Sequence, residues 1–291
     1  MIEELNRICK VETEVDLTNY NTYRLNSFCY ALVHIKSIEE LVSVIEKLKE
    51  YKTKWFVLGN GSNIILPEYY DGVIIKLELN KYIIKSDEIY VESGCMINKV
   101  AMTLAENGYA GLDFACGIPG TIGGSIYGNA GCYGSSISES LISAIVLDGK
   151  KIVEYTNEEL GFKYRSSILK EKHKLVVLSA RFKIHKTDKD ELMKVISERA
   201  EKRAATQDLT HPSCGSVFRN PEGMAAGKLI DDLGLKGYSI GGAMVSNKHA
   251  NFIINNGNAT SSDIIKLIKK IKREVKKAYN IDLVLEQEII K

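Results

Sequence analysis

The sequence predicts an α+β protein of about two domains. Three observations carry this. Short apolar segments follow one another in runs instead of alternating strictly with helices. One long charged helical stretch separates a larger N-terminal part from a smaller C-terminal part. The length of 291 residues is near that of two average domains. Apolar residues make up 45% of the chain and charged residues 26%, which excludes a disordered or collagen-like chain. A formal net charge of +2 gives no basic excess that would point to nucleic acid or an anionic membrane.

In chain order, residues 37–50 read as a helix. Ser37 with Glu40 forms a capping box, and Ile38, Leu41, Ile45 and Leu48 share one face. Trp55–Leu58 reads as a strand ending in a tight turn, Gly59-Asn60-Gly61-Ser62-Asn63. Val73–Leu77, Ile89–Glu92, Ala144–Leu147, Ile152–Tyr155 and Leu175–Ile184 also read as strands, and Ile97–Gly108 as a helix stopped by glycine. Residues 188–205 form a charged helix with a narrow apolar edge, taken as a connector. The expected organisation is therefore a first domain over 1–187, in two α+β subdomains parted near 77, then the connector, then a second domain over 206–291. In that second domain Thr260-Ser261-Ser262-Asp263 starts a helix whose buried stripe is Ile264, Ile268, Ile271 and Val275. Seven of residues 263–279 are Lys or Arg, read as a solvated face. Asp282–Ile290 reads as a closing strand, expected to return to the active site.

No apolar run reaches the ~18–20 residues of a bilayer span. The first ten residues are too polar for the apolar core of a signal peptide. A soluble, cytoplasmic protein is expected, a monomer or weak dimer with no membrane or nucleic-acid partner. Six cysteines at 9, 29, 95, 116, 132 and 214 form no CxxC pair, so neither a zinc site nor any other metal centre is expected. A disulfide framework is not expected either.

Two glycine-rich segments carry the functional argument. The first is Gly59–Asn63. The second runs from Gly117 to Gly134 and holds seven of the 23 glycines. Backbone without Cβ can approach a phosphate closely and turn its N–H groups towards it. Two such loops could clamp one diphosphate. The common nucleotide motifs fail. Ile64 stands where a GxGxxG turn needs its third glycine, and Gly223–Leu229 has three spacers where a P-loop has four and Leu where it needs Ser or Thr. Gly123-x-Ser125-x-Tyr127 lacks the closing glycine of a nucleophile elbow.

The ordered motifs GNGSN, GLDFACGIPGTIGGSIYGNAGCYG, KYRSS (163–167), PSCGSVFRNP (212–221) and GLKGYSIGGAMVSNKHANFIIN (234–255) resemble the UDP-N-acetylenolpyruvoylglucosamine reductase family, in its more compact type, from about Asn21 to Ile290. One departure follows Asn21-Thr22-Tyr23-Arg24, where the family usually has a Gly-Gly pair and this chain has Asn26-Ser27. The resemblance implies an FAD-binding domain of the vanillyl-alcohol-oxidase (PCMH) type over 1–187, and a smaller substrate-binding domain over 206–291. It also implies non-covalent FAD and NADPH as co-substrate. None of the five histidines (34, 173, 185, 211, 249) lies in a glycine loop, in keeping with non-covalent flavin. The implied cofactor contacts are Gly59, Asn60, Gly61, Ser62, Asn63, Gly117, Ile118, Pro119, Gly120, Thr121, Gly123, Gly124, Ser125, Asn129, Ala130, Gly131 and Arg203.

The implied reaction reduces the enolpyruvyl ether of UDP-N-acetylglucosamine-enolpyruvate to UDP-N-acetylmuramate, a step of peptidoglycan precursor synthesis. Hydride would come from reduced flavin N5 and a proton from the protein. By the same resemblance Arg165 holds the substrate carboxylate, Ser216 gives the proton, and Glu288 is the C-terminal active-site carboxylate, acting protonated or through the arginine. Glu286 lies two residues earlier and points the same way on a strand, so alternation does not separate the two. Tyr133, Tyr164, Arg219, Asn220 and Lys228 are the implied substrate-binding residues. Two other FAD or nucleotide readings stand beside this one: an alcohol or hydroxy-acid oxidoreductase of the same fold, and a non-catalytic nucleotide-binding module. A further one is a hydrolase using Cys214 or Ser216 with His211, which lies in a His-Pro turn with no evident orienting partner.

Overall fold

The computed structural model describes residues 1–172 and 174–291, so His173 lies outside the described residues. The chain forms two compact units. The first comprises Met1–Glu12, Leu32–Asn60 and Val73–Ala200, and the second Thr13–Ala31, Gly61–Gly72 and Glu201–Lys291. Both are discontinuous, where contiguous domains around a connector were expected. The boundaries fall inside three strands, Lys10–Asp16, Phe28–Ile35 and Tyr69–Leu77. The helix expected as a connector, Lys189–Thr206, is packed: its Leu192 and Ile196 bury against Ala105, which places its larger part in the first unit.

A four-stranded sheet takes the order Lys10–Asp16, Phe28–Ile35, Tyr69–Leu77, Trp55–Leu58, and its last pair is parallel. The Ile38–Glu50 helix buries Leu41, Val44, Ile45 and Leu48, with Ile38 only half-buried. Ser37 Oγ accepts the Glu40 N–H, but the Glu40 carboxylate accepts from Lys36 N at 2.6 Å, one residue before the expected partner, so only half of the capping box forms.

The first unit also holds a five-stranded antiparallel sheet. Its order is Lys151–Thr156, Leu141–Asp148, Leu175–Lys183, Glu88–Glu92, Tyr82–Ile84. Val100, Ala101 and Leu104 of the Ile97–Glu106 helix pack into its core with Ile122 and Ile126 of a short helix, Ile122–Tyr127. That second helix carries the glycine-rich segment, so burial of its two isoleucines fixes where the segment sits. The Ile97–Glu106 helix stops as expected before Gly108, whose φ of +70° is in the left-handed region.

The second unit is built on an antiparallel sheet, ordered Ser213–Ser216, Phe252–Asn255, Ala243–Val245, Ser239–Ile240. The Ser261–Tyr279 helix buries Ile264, Leu267, Ile268, Ile271 and Val275 in the same core as Val245 and Ile253. A complete capping box from Thr260 and Asp263 starts it. Its cations form a solvated face tied by pairs such as Lys270–Glu274 and Lys276–Asp282. Only Glu288–Ile289 of the expected closing strand pairs as a strand, parallel to Ile64–Ile65. Residues before it bond singly to another partner: Arg219 N donates to Val284 O and Glu286 N to Val217 O. The segment changes partners along its length, so no continuous ladder forms. Among the described residues no helix is long and apolar enough to cross a membrane.

Candidate active site

In the first unit the two glycine segments meet. The Asn60 side chain donates to Pro119 O at 2.8 Å. A Cβ on Gly59 would lie 2.9 Å from Thr121 Oγ1, so glycine is what permits this approach. That hydroxyl caps the Ile122–Tyr127 helix by accepting the Gly124 N–H at 3.2 Å. Gly123 lies against Ser93, whose carbonyl accepts its N–H at 2.9 Å. The Ser125 hydroxyl is buried and, among the described residues, has no partner. A buried donor left unmatched costs about 1–3 kcal/mol and marks a place where a ligand can complete the set. Asn129, at φ +44°, uses its amide to bind Lys163 O and accept from Ser138 N. Sequence reasoning missed Lys76. It lies opposite Leu58 in the parallel ladder, and its ammonium donates to Gly59 O at the base of the first loop. Burial lowers its pKa.

Arg165 sits in a tight turn closed by reciprocal backbone bonds of 3.0 Å between Lys163 and Ser166. Its φ of +54° is uncommon for a non-glycine residue. The guanidinium lies 5.1 Å from the Tyr164 ring centre and donates to Gly131 O at 2.7 Å. The expected carboxylate clamp is thereby tied to the end of the second glycine segment. Tyr133, also left-handed at φ +55°, donates its hydroxyl to Arg199 O, and the Arg199 guanidinium covers its ring. Asp113 holds Arg199 at 2.8 Å. Asp113 lies in the motif that opens the second glycine segment, but its pairing with Arg199 of a distant helix is not readable from it.

Gly61, Ser62 and Asn63 belong to the second unit. Glu288 N donates to Asn63 O at 2.9 Å, and the Asn63 amide donates to Glu286 O at 3.1 Å. Glu288 itself is half-buried. Ser216 stands at a register shift between Ser213 and Ser216, next to Gly215 at φ +69°. Such a bulge re-aims a side chain that a regular strand would point elsewhere. Ser216, Asn220 and Lys228 line one open cleft of about 440 Å³, together with Lys236, Lys248 and Asn251. Arg219 and Arg203 are not among its lining residues. Asn220 accepts the Ala226 N–H at 3.0 Å and so anchors the start of the Ala226–Asp232 helix that bears Lys228. Lys228 pairs with Asp232 and Lys236 with Asp231.

His211 does have an orienting partner, contrary to expectation: both carboxylate oxygens of Asp208 lie 3.0 Å from its Nδ1. Burial works to raise the Asp208 carboxyl, but hydrogen bonds from His211 and Thr210 outweigh it and hold the pKa at about 2. The pair closes a turn. The Cys214 thiol is fully buried and pushed up to about 12 by burial, so it is no nucleophile at neutral pH. Ser27, standing where the family usually has glycine, is buried and donates its hydroxyl to Pro67 O.

Both glycine loops fall within residues 30–151, which match the FAD binding domain family, so the chain is an FAD-binding protein. A solved glucose dehydrogenase, Phl p 4.0202, shares the fold at 11% identity over 65% of this chain and 44% of its own, with a TM-score of 0.52. Residues 207–290 match the C-terminal domain of UDP-N-acetylenolpyruvoylglucosamine reductase. The reductase of that name from Bacillus pumilus is 37% identical over 98% of this chain and 95% of its own, and that from Bacillus subtilis 37% over 100% and 98%. The crystal structure of the Thermus caldophilus reductase superposes at a TM-score of 0.84 and 31% identity, over 97% of this chain and 100% of its own. The chain belongs to the UDP-N-acetylenolpyruvoylglucosamine reductase family, a family of oxidoreductases.

Proposed function

We propose that this chain reduces UDP-N-acetylglucosamine-enolpyruvate to UDP-N-acetylmuramate in peptidoglycan precursor synthesis, using NADPH and non-covalent FAD, as a cytoplasmic monomer or weak dimer. The near end-to-end likeness to the Bacillus reductases carries this reading. The residues present fit FAD: the Asn60–Pro119 bond joins the two loops, and the Ser125 hydroxyl offers a free buried donor beside them. In this reading Gly59–Asn63 and Gly117–Gly131 hold the diphosphate, with Arg203 as a further contact. Most of these cofactor contacts lie in the first unit, whereas Ser216, Asn220 and Lys228 lie in the second. When bound, FAD supplies hydride to the terminal alkene carbon.

The chain's own residues do the rest. The Arg165 guanidinium offers a planar fork that matches carboxylate oxygens. It holds the substrate carboxylate, into which negative charge spreads as the hydride arrives. Ser216 protonates the neighbouring carbon. A hydroxyl is a weak acid, but a carbanion is far more basic, so the transfer runs downhill. Glu288 acts protonated or through Arg165. Asn220 and Lys228, with Tyr133, Tyr164 and Arg219, bind the uridine diphosphate, and the cleft adds Lys236 and Lys248 as cations. Such remote contacts help orient the reacting carbon.

Anaerobic stopped-flow measurement of the two half-reactions tests the reading. Ser216→Ala and Arg165→Ala should each leave flavin reduction by NADPH nearly intact and slow reoxidation by the enolpyruvyl substrate. One well-placed donor is worth about 2.7–4 kcal/mol, or about 100- to 1,000-fold. Equal loss in both half-reactions, or unchanged reoxidation, refutes the assigned role.

A further inference from the structure

We propose that Asn251 is a positioning residue for Ser216, acting through the backbone that follows it. The proposal rests on the reading of Ser216 as proton donor. Asn251 is 3% exposed, and all its hydrogen-bonding groups face inward. Its amide nitrogen donates to Phe218 O at 2.8 Å and its amide oxygen accepts the Phe218 N–H at 3.0 Å. Its own carbonyl accepts the Val217 N–H at 2.8 Å. Its N–H donates to His249 Nδ1 at 3.3 Å.

One residue thus makes three bonds to the two residues directly after Ser216. Those bonds lie just beyond the Ser216–Phe252 pair, where the strand Ser213–Ser216 ends. The ladder between Ser213–Ser216 and Phe252–Asn255 loses register before Ser216, and left-handed Gly215 turns the chain there. A bulge leaves backbone groups unpaired. Asn251 carries the pairing past Ser216 with one backbone bond to Val217, and its side chain donates to and accepts from Phe218 where the strand has ended. From the other side the buried Gln287 amide donates to Cys214 O at 3.2 Å and to Gly215 O at 3.4 Å. Ser216 is therefore the centre of a five-residue segment held at both flanks, and its side chain is left to the cleft. An aspartate at 251 keeps the shape and the acceptor but cannot donate to Phe218 O. Leucine keeps only the bulk.

The experiment is a double-mutant cycle on the FAD-loaded enzyme with Asn251→Asp, Ser216→Ala and the pair, following both half-reactions. Asn251→Ser, which keeps one donor, is a milder variant should Asn251→Asp fold poorly. A displacement of about an ångström can cost about 100-fold in rate. Asn251→Asp is expected to slow flavin reoxidation by the enolpyruvyl substrate about 10- to 100-fold, with little change in KM. Flavin reduction by NADPH should stay within about twofold. In the Ser216→Ala background the same substitution should add less than about twofold, because the group it positions is gone. Additive losses, equal loss in both half-reactions, or normal reoxidation in Asn251→Asp while Ser216→Ala is slow would overturn this proposal alone. Normal reoxidation in Ser216→Ala would overturn the proton-donor reading and this proposal with it.

Discussion

Gly59 and Gly61 are two residues apart, and the structure gives them different jobs. In Gly59→Ala the new methyl carbon would lie 2.9 Å from Thr121 Oγ1, inside ordinary contact distance. That hydroxyl rotates on a side chain, so it turns away and the Gly124 N–H loses its cap. A lost cap costs about 0.5–2 kcal/mol. Where FAD needs the capped loop and the free protein can relax, this becomes about a 2- to 30-fold weaker FAD dissociation constant. In Gly61→Ala the methyl would lie 2.1 Å from Tyr20 O and 2.8 Å from Asn21 Cα, both backbone atoms. No rotamer relieves that overlap, and the φ of +63° adds roughly 1–2 kcal/mol. The segment that lets Thr22 N bond Gly61 O must part. Two measurements separate the cases: FAD titration into apoprotein, followed by quenching of flavin fluorescence, and thermal melts of the apoprotein. Gly59→Ala should weaken FAD binding and lower the apoprotein Tm by less than Gly61→Ala does. Gly61→Ala should lower the apoprotein Tm by about 5 °C or more. Unchanged FAD affinity in Gly59→Ala, or a wild-type melt in Gly61→Ala, would refute the reasoning.

Tyr23 is fully buried, its pKa is pushed well above the ordinary value by burial, and its hydroxyl donates to Gln287 Oε1 at 2.9 Å. Tyr23→Phe strands that oxygen at a cost of about 1–3 kcal/mol, and Tm should fall by roughly 2–10 °C; an unchanged Tm contradicts the pairing. Asp208 has a depressed folded-state pKa of about 2, so its contribution to stability is complete above its ordinary value of 3.8 and is lost as pH falls towards 2. Urea unfolding should therefore show Asp208→Asn costing more at pH 7 than at pH 2.5, and an equal cost at both pH values would count against it.

Periodicity was enough for most elements, because burial is what periodicity records. The helix stripe of Ile264, Ile268, Ile271 and Val275 and the strand Trp55–Leu58 lie where they were expected. The division into units was not readable. A strand that passes from one unit to another alternates no differently from one that stays in one, so nothing at residues 12, 31 or 72 signals a boundary. The helix at 189–206 looked like a connector because only Leu192 and Ile196 are buried on it, yet two residues sufficed to dock it on Ala105. Around the candidate site, the residue types that invite φ above zero were visible and the exceptions were not. Glycine marks its own turns, but nothing local announces that Arg165 and Tyr133 are left-handed. Such conformations cost roughly 1–3 kcal/mol and persist where the surroundings over-determine them. Lys76 and Asn251 were missed for a related reason: each acts on the backbone of a segment far away in sequence.

The choice between Glu286 and Glu288 shows what long-range pairing adds. Alternation puts both on one side of the chain, and the structure agrees. Gln287 between them points into the core, with its amide oxygen on Tyr23 and its nitrogen on Cys214 O. The backbones of the two carboxylates meet different partners. Glu286 N bonds Val217 O, so that residue is carried beside the segment after Ser216. Glu288 N bonds Asn63 O and pairs with Ile64, so that residue is carried at the end of the first glycine loop. In the proposed reading, in which that loop holds the flavin, position 288 is the one of the two carried beside it. The distinction lives in which distant strand each N–H meets, and a repeat of two residues along one strand has no way to encode it.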